Sequence, residues 1–271
     1  MLAFFHSYVK IFVMEMQIGE KKRIYLLDEI RGFAVFCMVF YHAFFILGEN
    51  FGFMPANRLY EFFLPVEPLY AAIFIFVCGI SCTLSRSNLK RGFKILGAAI
   101  GFSLVTCLLL PAIGIKGMEI YFGILHLLGV CVLIYAVGHK FFDKVSPYGG
   151  ILACAVLYPF FSGIEDRTLG YGQLVSFKLP DVLYHTSYLM PLGIYSPWFY
   201  SADYFPVFPS VFIFFAGVFS GRILMKKGYP DFAYRKKIPF FDFLGKYSFI
   251  IYILHMPVIF GLAYVAEKII Y

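Results

Sequence analysis

The chain has 271 residues, of which 61% are hydrophobic, 21% aromatic and only 14% charged, with a net charge of +7. A soluble domain carries about 25% charged residues, so this composition excludes an ordinary soluble domain. The positive charge is spread through short loops and forms no basic patch, which argues against a nucleic-acid partner.

Residues 1–22 are semi-apolar, interrupted by His6, Lys10 and Glu15, and show no small-residue cleavage site. They read as an N-terminal cytoplasmic segment, with Met14 and Met16 as alternative starts. Residues 23–271 read as a single transmembrane domain. Apolar runs of about 20 residues recur along it, the length that crosses a bilayer as a helix. The expected helices span 30–48, 68–84, 93–111, 119–138, 148–162, 206–224 and 243–266. The fold class is therefore all-α, a polytopic membrane helical bundle of about seven transmembrane helices. The fifth helix is short for a full crossing. Pro55, Pro65 and Pro68 punctuate a first loop, and 163–204 forms the longest one.

Lys and Arg alternate between the loops. Lys21, Lys22 and Arg23 precede the first helix. Arg86, Lys90, Arg91 and Lys94 follow the second, Lys140 and Lys144 the fourth, and Arg222 to Lys237 the sixth. The intervening loops are poor in basic residues. The positive-inside rule then places the N-terminus in the cytoplasm and the C-terminus outside, in a cytoplasmic membrane. The six cysteines all fall within apolar runs. They read as free buried thiols, and no metal site is expected.

The chain is organised around Arg23 to Gly48. Arg31 and His42 are eleven residues apart, close to three helical turns, so they share a face roughly 16 Å apart along the axis. Asp28 lies one turn before Arg31. A histidine halfway along an apolar helix requires a partner or a function. The expected topology brings His42, His126 and His255 to one layer in the outer half, with Asp203 just before the sixth helix. Each has a plainer reading: a histidine can donate between helices, Asp203 can cap its own helix, and Asp28 with Arg31 can be an interface ion pair. The basic loops can serve topology alone. A neutral histidine can also shuttle a proton or carry an acyl group. Arg31, Asp28, Arg86, Lys90 and Arg91 stand at the mouth where a phosphate-bearing donor would arrive.

The stretch LDEIRGFAVFCMVFYHAFF, with its Arg-x10-His spacing, resembles the first helix of the transmembrane acyltransferases. The nearest likeness is the bacterial branch similar to the catalytic domain of heparan-alpha-glucosaminide N-acetyltransferase. The segments FIFVCGISCTLSRSNLKRG, FGILHLLGV, SADYFPVFPSVFIFFAGVFSG and LGKYSFIIYILHMPV fit that branch in order and spacing. Seven helices are fewer than the ten or eleven of the better-known acyltransferases, and the heparan enzyme's extra luminal region is not recognisable here.

The resemblance implies transfer of an acyl group, acetyl above all, from cytoplasmic acyl-CoA to a hydroxyl or amine of an extracytoplasmic glycan or glycolipid. By the resemblance His42 would be the catalytic histidine; the expected topology adds His126 and Asp203 as catalytic candidates and His255 as a further polar group. The expected partners are membrane lipid and a sugar or glycolipid acceptor, with acyl-CoA as co-substrate. A proton-coupled transporter of a lipid-linked or small polar solute is the alternative, with the histidines as relays. An odd helix count without a visible internal repeat counts against it.

Overall fold

In lipid, an apolar run of this length satisfies its backbone within one segment only as a helix. The computed structural model follows that rule over the residues it describes, 23–270; the expected segment 1–22 lies outside them. Helix α1 spans Tyr25–Phe45 and continues through a wide π-type turn, Ile46–Asn50. Helix α2 is Met54–Phe63, α3 Glu67–Leu84 and α4 Asn88–Leu104, the last extending in helical form to Ala112. Helix α5 is Ile124–Phe142 and α6 Pro147–Phe161. Strands β1, Thr168–Gly170, and β2, Ser176–Lys178, form an antiparallel pair. Helix α7 is Val207–Lys227, α8 Pro239–Lys246 and α9 Ser248–Ile270.

Among the described residues, six helical paths are long and apolar enough to cross a membrane, and α6 is a shorter apolar helix. The protein is a multi-pass, all-α bundle. Although short, α6 joins the two ends of the bundle. Gly150, near its start, packs on Phe219, and Phe161, at its end, stacks on Phe208 at 4.7 Å. It therefore runs antiparallel along α7, and the chain changes ends through it.

Several expected boundaries move. The first and third helices begin five residues early, at Tyr25 and Asn88. The second helix begins earlier, because Pro55, Pro65 and Pro68 sit in first turns, where a missing N–H costs nothing. The fourth begins later, at Ile124 rather than 119. Residues 119–123 are held extended by side chains of α4: Thr106 Oγ1 accepts from Ile120 N, and Ser103 Oγ donates to Ile120 O. The seventh is two helices, α8 and α9, broken at Tyr247.

The helices approach closely at small residues, as membrane helices must when lipid offers no hydrophobic drive between them. A side chain at Gly79 of α3 would meet Phe214 O of α7 at 2.1 Å, and one at Gly217 of α7 would meet Phe76 O at the same distance. Gly32 of α1 and Gly245 of α8 face each other's backbones in the same way.

One end of the bundle gathers the basic turns. Arg222 donates to the carbonyls of Phe142, Asp143 and Val145, tying α7 to the α5–α6 turn. The Glu29 carboxylate accepts from Lys237 N and Ile238 N, tying α1 to the loop before α8. Asp242 pairs with Arg23 and Lys236. The opposite end is built from residues 113–123 and the long 162–206 segment.

Candidate active site

His42 stands near the end of α1, almost five turns from its start. Its Nδ1 lies 3.0 Å from Nε2 of His255, the eighth residue of α9. His255 Nδ1 lies 2.7 Å from the Tyr252 carbonyl oxygen, one turn earlier. A carbonyl only accepts, so His255 Nδ1 carries the proton. With His255 neutral, its Nε2 accepts and His42 Nδ1 donates, which leaves the lone pair of the His42 ring on Nε2. His255 thus sets the tautomer of His42.

His42 lines a chamber of about 40 Å³, together with Tyr41, Glu67, Tyr70, Asp203 and Tyr252. Asp203 is buried. One of its oxygens accepts from Tyr252 Oη at 2.6 Å and from Ile124 N at 3.3 Å. It therefore caps α5, not the helix that follows it. Burial pushes its carboxyl above the ordinary carboxylate range, against the pull of these two donors. Gly123 leaves room for it: a Cβ there would lie 2.2 Å from the Asp203 carboxylate. Tyr70 Oη is buried in the chamber wall with no hydrogen-bond partner among the described residues. Such an orphan hydroxyl needs an explanation.

Toward the basic end lies a second cavity, a vestibule of about 360 Å³. Arg31, Arg91, Lys94 and Lys246 line it. Phe74 and Tyr252 line both cavities, so the two are neighbours across those side chains. Arg31 is held by Asp28 at 3.0 Å and by Ser81 Oγ at 2.8 Å. The Arg91 guanidinium donates to the Cys78 and Cys82 sulfurs, 3.3 and 3.6 Å away. Among the described residues, Arg91, Lys94 and Lys246 form no ion pair with a carboxylate, so the vestibule carries uncompensated positive charge.

The structure brings together His42, His255 and Asp203, and separately Arg31 and Arg91 with Asp28 behind them. Arg86, on the α3–α4 turn, and Lys90, in the first turn of α4, are exposed and line neither cavity. His126 lines neither. It is the third residue of α5, where Nδ1 accepts from Gly123 N at 3.3 Å and Nε2 lies 3.4 Å from Ser103 Oγ. That is a capping position, shallower along its helix than the expected start at 119 placed it.

Glu67, Tyr70 and Tyr252 carry no role in the sequence reading. Tyr252 could have been found, since it precedes His255 by three residues and so shares its face. Glu67 was masked by the prolines that read as a loop. Among the described residues no group of three or more His, Cys, Asp or Glu could hold a metal ion.

A family model described as "Heparan-alpha-glucosaminide N-acetyltransferase, catalytic" matches residues 23–257. Among curated proteins no relative matches the chain.

Proposed function

Because the chain belongs to the heparan-alpha-glucosaminide N-acetyltransferase catalytic family, a family of membrane acetyltransferases, we propose that it moves an acetyl group from acyl-CoA across the bundle. The basic end faces the cytoplasm in this reading, as the positive-inside rule favours. The phosphates of the donor sit in the vestibule against Arg31, Arg91, Lys94 and Lys246. Its pantetheine arm passes between Phe74 and Tyr252, and the thioester enters the chamber of His42. An acceptor hydroxyl or amine enters from the opposite end. His42 Nε2 takes its proton as the acceptor attacks the thioester carbonyl. The new C–O or C–N bond forms, the C–S bond breaks, and His42 returns the proton to the departing thiolate. The Tyr70 hydroxyl, otherwise without a partner, donates to the carbonyl oxygen as it gains charge. Glu67 holds the acceptor.

The observation that carries this reading is the pair of neighbouring cavities that share Phe74 and Tyr252 as walls, cationic on one side and lined by His42 on the other. The size of the inner chamber supports a short acyl group. A water occupies about 10–15 Å³ by the same measure, so the space takes about three heavy atoms, an acetyl rather than a fatty chain. The test is acetyl-CoA turnover by the purified protein in detergent. His42→Ala is expected to lower kcat by about 10²–10⁴-fold, the range of general acid–base catalysis. A variant as active as the wild type would remove the mechanism.

A further inference from the structure

The end of the molecule opposite the basic turns bears an open cleft of about 500 Å³ with no assigned role. Trp198, the single tryptophan of the chain, projects from its rim 92% exposed, and Tyr188 is 89% exposed. Among the described residues neither the Trp198 indole nor the Tyr188 hydroxyl has a hydrogen-bond partner. The rings behind them are fixed by contrast. Tyr200 Oη donates to Gly117 O at 3.1 Å, Tyr204 Oη donates to Met190 O at 2.7 Å, and Phe199 packs on Tyr195 and Tyr204 at 5.0 and 5.1 Å. A rigid aromatic bed thus presents two free rings, with the Glu119 carboxylate and the Ser187 and Ser196 hydroxyls beside them.

The cleft and the chamber are lined by the same two stretches of chain. Residues 119–124 and 198–205 run side by side, joined by Ala202 N to Glu119 O and Phe205 N to Phe122 O. Glu119 opens the first stretch on the cleft and Ile124 ends it on the chamber. Trp198 and Asp203 do the same on the second. Five residues span at most about 17 Å, so an occupant of the cleft is within a few sugar rings of His42.

Building on the acetyltransferase reading, we propose that this cleft binds the acceptor as a neutral or amino saccharide, stacked on Trp198 and Tyr188. Aromatic faces pack on the C–H faces of a sugar ring, and a carboxylate with two hydroxyls serves its hydroxyls or an ammonium. The polarity decides against a polyanionic glycan. The one charged group lining the cleft is Glu119, and no Lys or Arg stands among the described lining residues. A sulfated or uronate-rich chain would meet repulsion with no cation to offset it.

Because Trp198 is the only tryptophan, intrinsic emission of the full-length protein in nanodiscs reports this cleft alone. It is titrated with a glucosamine oligosaccharide, a maltooligosaccharide and a heparin fragment, and separately with brominated lipid. A saturable change with either of the first two and none with heparin is expected. Tyr188→Ala, which keeps the reporter, weakens that response about 10-fold or more, and Trp198→Ala raises the acceptor KM to a similar degree. Melting midpoints check that the variants fold. Quenching by brominated lipid without a response to sugar marks Trp198 as an interface anchor and overturns the proposal, as does tighter binding of heparin. Thermal stabilisation by acetyl-CoA, lost in Arg31→Ala, is read separately on the same protein. If it is present while sugars leave Trp198 unmoved, only the cleft assignment falls. If it is absent, the acetyltransferase reading falls, and the titration still decides what the cleft binds.

Discussion

A histidine on an apolar helix is defined by what its two ring nitrogens face. His42 faces His255 through Nδ1, and His255 faces a carbonyl through its own Nδ1. The chain of donors ends on backbone, so the pair needs no carboxylate to fix its tautomers. Tyr70 complements it with a buried hydroxyl that has no partner among the described residues. Tyr70→Phe is expected to lower kcat by about 10²–10³-fold, the cost of losing one oxyanion donor. The KM for acyl-CoA should stay near the wild-type value, and melting should not fall, since no hydrogen bond is lost. Steady-state kinetics and a thermal melt check both.

Asp203 gives a pH signature. Burial raises its folded value, while the unfolded chain holds it near about 3.9. Between those two values the folded state binds the extra proton, so stability falls as pH rises through the window. Asp203→Asn retains an acceptor for Tyr252 and Ile124 but has no charge to bury. The wild type should melt close to Asp203→Asn at low pH and below it at neutral pH. Parallel melting curves at every pH would contradict this.

At the scale of the elements, contact between helices is set by glycines. Gly79 and Gly217 let α3 and α7 touch backbone to backbone. Gly79→Ala should destabilise the protein by about 1–3 kcal/mol, as overpacking does, because the obstructing atom is a main-chain carbonyl that cannot rotate away. A melt in detergent reads it. The helices were legible in the sequence as apolar runs, and the Arg31–His42 spacing placed a charged mouth below a half-buried ring. Their ends were less so. Prolines mark both a loop and the first turn of a helix, which hid α2 and the position of Glu67. His126 followed a helix start that Thr106 and Ser103 displace, a tertiary effect no local pattern carries. The junction at Phe74 and Tyr252 depends on which faces of α3 and α9 meet, and periodicity alone does not say so.

At the scale of the whole molecule, α6 matters out of proportion to its length. By carrying the chain between the two ends it sets the start of α1 and the far end of α9 apart, and it leaves the basic turns together at one end. The cationic vestibule opens among those turns, and the aromatic cleft lies at the other end. In the proposed reaction, a donor and an acceptor from opposite sides would meet at His42.

The decisive measurement is a cryo-EM structure with a non-hydrolysable thioether analogue of acetyl-CoA. Phosphate density against Arg31 and Arg91, with the two-carbon group beyond Tyr252 and beside His42, is the expected result. A nucleotide seated at the aromatic end, or an arm that stops short of the Phe74–Tyr252 junction, would contradict transfer through the bundle.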